Sequence, residues 1–241
     1  SEKWIQLAEE KNIDWWITSA LESNIGLNAI SQWTAKMKPD EFQGLGTGQL
    51  FTNNIPSPLK VKIGNLSFDD APIFQEVNQF ISDWFCSIEE MELKTSGSTG
   101  TPKPITVKKD WMKNSARLTG RTFGLKEGDS ALLCMPMKYV AGKMMVVRAL
   151  ELELDLKVVE PCSNPLKNIN EPINFAAMVP LQLENSLKDL AKVKKLIVGG
   201  GQVNSKLEEK LQSVSTHVYE TYGMTETLTH VAIKPLNGPS K

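Results

Sequence analysis

From residue 131 onward the chain keeps one rhythm, and that rhythm limits the fold more than any single motif. Short apolar runs at 131–135, 154–159, 175–179, 196–198 and 218–222 alternate with segments of helical spacing: through Met145, Val146 and Leu150, at 181–190, and at Leu207 and Leu211. A strand that is apolar throughout must be covered on both faces, and a helix between successive strands is what lets them run parallel. The expected class is therefore α/β, with a mostly parallel sheet covered by helices. Upstream, Ile73, Val77, Phe80, Ile81, Trp84 and Phe85 have the spacing of a helix that buries one face. Leu59, Val61 and Ile63, a Gly64-Asn65 turn, then Leu66 and Phe68 read as a hairpin. The first residues read as helix around Trp4 and Leu7, strand at 13–19 (IDWWITS) and helix at 27–37, stopped by Pro39.

Residues 95–103 (TSGSTGTPK), followed by Pro104, combine turn-forming residues with five hydroxyl side chains and a lysine. Such a segment can aim several donors at one centre and cradle an anion. Met91 and Leu93 before it, and Ile105 and Val107 after it, hang the loop between two short strands. It lacks the Gly-Lys-Ser/Thr end of a Walker loop and is no dinucleotide fingerprint. Residue types alone also allow a plain solvent loop.

With 27 basic and 28 acidic residues, the net charge of -1 offers no field to gather nucleic acid or an anionic membrane. No nucleic-acid or membrane partner is expected, and an anionic ligand must be held locally. Cys86, Cys134 and Cys162 form neither a disulfide framework nor a metal cluster, so a cytoplasmic location is expected. No apolar run is long enough to span a bilayer, and no export leader is visible. His217 and His230 have no cysteine pair near them, which argues against zinc; His230, shortly after Glu226, is a candidate to border a site. Trp15, Trp16, Trp33, Trp84 and Trp111 fall on apolar faces and read as core.

Three stretches together give the loop a specific reading. TSGSTGTPKP resembles the phosphate-binding signature of the adenylate-forming enzymes, a superfamily of acyl-CoA synthetases, luciferases and peptide-synthetase adenylation domains. YGMTET at 222–227 is similar to their second signature, and IVGGG at 197–201 to the glycine pair that precedes it. MPMKYVAGKMM at 135–145 resembles the segment lining their acyl pocket, with Tyr139 where many members carry histidine. Within the superfamily the stretch is most similar to the o-succinylbenzoate:CoA ligases of menaquinone synthesis. The resemblance implies ATP, Mg2+ and CoA as cofactor and substrates, and a small carboxylic acid as partner. It implies that Thr95, Ser96, Gly97, Ser98, Thr99, Gly100, Thr101 and Lys103 handle the ATP phosphates, with Thr225 on the α-phosphate and Glu226 holding the metal. Lys103, Thr225 and Glu226 become the catalytic candidates. Gly200, Gly201, Tyr222, Gly223, Tyr139, Gly142, Lys143 and His230 become candidates for the adenine and acyl pocket.

SALESNIGLNAISQW and QGLGTGQLFTNN, within residues 1–58, resemble the last strands of o-succinylbenzoate synthase, a barrel of the enolase superfamily. That family's proton-transferring lysines and metal carboxylates lie on earlier strands, leaving Ser19, Glu22, Ser23 and Gly26 as rim residues. The expected division is a partial (β/α) barrel segment at 1–58 and a partial AMP-binding domain at 59–241 without its C-terminal domain. The expected function is an ATP-dependent acid:thiol ligase; the alternative is a non-catalytic fragment or nucleotide-binding scaffold of a synthase–ligase fusion. A homo-oligomer is compatible with the sequence.

Overall fold

The computed structural model describes residues 2–19, 24–37, 39, 42–45, 59–62, 65–68, 72–95 and 103–238. The chain divides into two compact units, Ser1–Asp70 and Ala71–Lys241. In the first, α1 (Glu2–Glu10) and α2 (Asn24–Met37) precede an antiparallel hairpin of β1 (Leu59–Lys62) and β2 (Asn65–Phe68). The strand expected at 13–19 is reduced to one parallel bridge between Thr18 and Gly44. Ile17 N–H is taken by the Gln43 side chain (2.7 Å), while around the bridge Gly44 N–H donates to Ile17 O (2.8 Å) and Ser19 N–H donates to Gly44 O (3.1 Å). Apolar content favours a strand, but a strand exists only where a neighbour satisfies its backbone. Among the described residues this unit has no parallel strand pair, so no barrel segment is seen in it.

The second unit opens with α3 (Pro72–Trp84), which buries Ile73, Val77, Phe80 and Trp84 as the spacing demands. An antiparallel hairpin of β3 (Glu90–Lys94) and β4 (Pro104–Lys108) follows, then α4 (Lys109–Phe123), β5 (Ser130–Leu133), α5 (Val140–Leu152) and β6 (Asp155–Val158). The chain continues through β7 (Ile173–Met178), α6 (Pro180–Ser186), a 3-10 turn at Leu187–Lys192, β8 (Val193–Val198), α7 (Ser205–Leu211), β9 (His217–Gly223) and β10 (His230–Pro235). The strands form one sheet in the order β10-β9-β8-β7-β5-β6, parallel except for β10.

Alternation along the strands builds two cores. Ala131, Leu133, Phe175, Ala177 and Ile197 pack with Met112, Ala116, Phe123 and Met144 of α4 and α5. Their neighbours Leu132, Cys134, Ala176, Met178, Leu196 and Val198 pack on the opposite face with Leu183 of α6 and Leu207 and Leu211 of α7. Successive side chains of a strand point to opposite faces, so five apolar residues in a row demand two covers. α4 ends at Gly124, whose left-handed φ of 58° lets its N–H reach back to Arg121 O. The Lys195 amine donates to Phe123 O at the same helix end. The sequence does not predict β10: it is an edge strand with no buried residue, so it shows no apolar alternation. Among the described residues no helix is long and apolar enough to cross a membrane.

Phe175 is fully buried and its ring lies 5.5 Å from that of Phe123. Phe175→Ala is expected to destabilise the second unit by about 3–5 kcal/mol, read as a lower urea midpoint at unchanged slope.

Candidate functional site

The parallel strands carry the residues selected from the sequence toward one edge. Segments leaving the C-terminal ends of β5, β8 and β9 contain, in turn, Tyr139, then Gly200 and Gly201, then Thr225 and Glu226. β6 lies on one side of β5 and β7 on the other, which makes the gap between β5 and β7 a topological switch point, where α/β sheets tend to open a crevice. Here protein closes it. The buried Gln182 amide donates to Cys134 O and Cys162 O (3.0 Å each) and accepts from Val179 N–H (3.2 Å). Burial pushes the Cys134 thiol up to about 12, so it stays protonated there as a small apolar group.

The loop neck is well defined. Thr95 N–H donates to Lys103 O and Lys103 N–H donates to Thr95 Oγ1, both at 3.0 Å, which extends the β3–β4 ladder by one pair and leaves the Lys103 amine exposed. Ser96, Gly97, Ser98, Thr99, Gly100 and Thr101 lie outside the described residues, as do Glu22 and Ser23. The Lys143 amine donates to Glu92 O (3.3 Å), tying α5 to the strand that leads into this loop, and burial lowers its pKa. Tyr139 is exposed at the start of α5, with the Lys138 ammonium 5.0 Å from its ring centre. Gly142 is dictated by space, because a Cβ there would lie 2.5 Å from Pro136 O.

Around β9 the geometry is tighter. Tyr222 is 64% exposed. Gly223 pairs with His230 across β9 and β10, and a Cβ at Gly223 would lie 2.1 Å from Thr229 O. Between them a 3-10 turn, Thr225–Thr227, buries Thr225 and leaves Glu226 exposed. Thr227 Oγ1 accepts from Met224 N–H (3.1 Å) and holds the turn closed. Among the described residues the Glu226 carboxylate has no ion-pair partner, and no cluster of metal-ligating side chains occurs. A single exposed carboxylate fits Mg2+, which is commonly held by one or two carboxylates together with substrate phosphates.

Sequence reasoning missed Arg148. It lies inside α5 with 2% exposure, and its Nε donates to Thr119 Oγ1 (3.3 Å). No carboxylate of the described residues pairs with it, and its terminal amino groups have no hydrogen-bond partner there. Burial lowers its pKa to about 10, so it remains charged at neutral pH. The signal was one cation within MMVVRAL, a run otherwise apolar on every side. His230 stands between Arg148 and the β9 turn in its interactions: its ring is 6.2 Å from Phe123, and burial, then the Arg148 charge, hold it down to about 4.

Residues 94–241 match the AMP-binding enzyme family. The chain belongs to that family. Its 3D fold is similar to an acyl-CoA synthetase (AMP-forming)/AMP-acid ligase II-like protein from Dyadobacter fermentans, with a TM-score of 0.66 and 42% identity over 70% of this chain and 51% of that one. The family member is also 28% identical to 2-succinylbenzoate--CoA ligase of Lactococcus lactis, over 62% of this chain and 34% of that protein. Over 64 residues, 27% of this chain and 17% of the relative, it is 64% identical to o-succinylbenzoate synthase of Desulfotalea psychrophila. The chain thus spans well under half the length of these curated relatives.

An unfolded histidine titrates near 6.5, above the folded value for His230 of about 4. The unfolded state therefore binds the extra proton first, and stability falls as pH drops from about 6.5 toward 4. Urea midpoints of wild type and His230→Asn between pH 7 and pH 5 are expected to show a shallower decline in the variant.

Proposed function

We propose that this chain carries the nucleotide and acyl portion, residues 59–241, of an ATP-dependent acid:CoA ligase whose substrate is 2-succinylbenzoate, activated as its acyl-adenylate in menaquinone synthesis. Residues 1–58 belong, in this reading, to a segment like the barrel enzyme that makes that acid, joined to the enzyme that consumes it. The 64% identity to a synthase and the separate similarity to 2-succinylbenzoate--CoA ligases support the pairing.

The single observation that carries the acid assignment is Arg148. A guanidinium that is 2% exposed, with Nε on Thr119 Oγ1 and no carboxylate of the described residues paired with it, is largely desolvated, and an arriving anion offsets that cost. 2-Succinylbenzoate is a dicarboxylate: its succinyl carboxylate reacts, and its ring carboxylate needs a cation that takes no part in the chemistry. The Lys143 amine is tied to Glu92 O, and in this reading Arg148 takes the ring carboxylate, with Tyr139, Gly142 and His230 bordering the acid.

The remaining roles follow from chemistry. Lys103 and the hydroxyls of the 95–101 loop take the phosphates, the exposed Tyr222 stacks on adenine beside Gly200, Gly201 and Gly223, and Thr225 donates to the α-phosphate. Glu226 would hold Mg2+, which when bound supplies positive charge against the phosphate oxygens. An oxygen of the succinyl carboxylate attacks the α-phosphorus and pyrophosphate leaves; the thiol of CoA then displaces AMP from the acyl carbon. Charge grows on the α-phosphate oxygens during attack, and fixed donors there lower the barrier.

Calorimetric titration tests the reading. ATP is expected to bind with a dependence on Mg2+ that Glu226→Gln removes. Arg148→Met is expected to weaken 2-succinylbenzoate by roughly tenfold or more with ATP binding unchanged, the scale of a lost charge-assisted hydrogen bond. Absence of Mg2+-dependent ATP binding would favour a non-catalytic scaffold, and an unchanged acid affinity in Arg148→Met would sink the dicarboxylate assignment.

A further inference from the structure

We infer that Thr119 is a positioning residue that sets which acids are accepted, by fixing the orientation of the Arg148 guanidinium; this rests on the acid assignment above. Ser115, Thr119 and Phe123 recur at four-residue steps along α4 and so share one stripe of the helix. Each meets a different element of the site. Ser115 Oγ and Thr229 Oγ1 share a hydrogen bond (2.8 Å), Thr119 Oγ1 accepts from Arg148 Nε (3.3 Å), and the Phe123 ring stands edge-on to His230. α4 thereby spaces α5 against the start of β10.

The Thr119 hydroxyl is used in both directions. It is 1% exposed, donates its hydrogen to Ser115 O (3.0 Å), and so can turn only a lone pair toward the arginine. Gly120 beside it brings α5 close, since a Cβ there would stand 2.9 Å from Leu152. Backbone spacing and hydroxyl direction together hold Nε and leave the Nη edge as a planar fork, the geometry that pairs with a carboxylate through two hydrogen bonds. Without the hydroxyl, Nε is buried and unsatisfied, and the guanidinium must turn to find another partner. Thr119 never touches the acid; its effect passes through Arg148.

The discriminating probe is a pair of acids, 2-succinylbenzoate and 4-oxo-4-phenylbutanoate, which lacks only the ring carboxylate. Dissociation constants are measured by calorimetry on the full chain. Wild type is expected to prefer 2-succinylbenzoate by roughly tenfold or more, from one charge-assisted pair. Thr119→Val, which keeps the side-chain shape, is expected to bring the two acids to within about twofold by the same arithmetic, with ATP affinity unchanged. Thr119→Ser, which keeps the hydroxyl, is expected to retain the preference. Thr119→Ala is a second hydroxyl-free variant should the valine protein fail to fold. The 15N–1H signal of Arg148 Nε is expected to shift in the valine and alanine proteins and stay near its wild-type position in the serine protein.

A preference retained without the hydroxyl, an unmoved Arg148 signal, or an equal loss for both acids and ATP overturns the inference alone. A wild type that binds both acids equally, or neither, removes the acid assignment and the inference with it.

Discussion

Everything in the second unit depends on a parallel sheet that must be covered twice. Ala131 and Leu133 go one way and Leu132 and Cys134 the other, and the same division runs through β7 and β8. Two layers of helices are then required, and connecting them to parallel strands sends every strand-to-helix turn to the same edge. The candidate site is therefore a by-product of burial: Tyr139, Gly200, Gly201, Thr225 and Glu226 gather toward one edge because they follow strands that cannot be exposed. The AMP-binding family uses an architecture whose core and whose loops are settled by the same constraint.

The legible parts of the sequence were those where one local signal decides the outcome. Fully apolar strands, the amphipathic α3 and the hairpin around the hydroxyl-rich loop all belong to this class. What could not be read were features that depend on a partner far along the chain. The run at 13–19 has strand composition, yet only Thr18 finds a neighbour. β10 is half exposed and shows no periodicity, and it exists because β9 offers it an edge. Gln182 looks like an ordinary polar residue of a helix until Cys134 and Cys162 bring their carbonyls to its amide.

Arg148 shows the same limit at the candidate site. A single arginine in an apolar helix could have been a surface residue that snorkels to water. Its burial appears only when α4 and α5 are packed, with Gly120 admitting Leu152 and Thr119 meeting Nε. The sequence motifs name groups that suit phosphate, adenine and a metal ion. The packing adds a buried cation, Arg148, that no motif names.

Gly223 has a consequence of another kind. The Thr229 carbonyl occupies the place where any other residue would carry its first side-chain atom, so the position tolerates no replacement while β9 and β10 stay paired. In genetic terms its codon can drift only at the third base. Part of what makes YGMTET recognisable as a signature is thus an exclusion enforced by backbone crowding, independent of whatever molecule the neighbouring side chains hold.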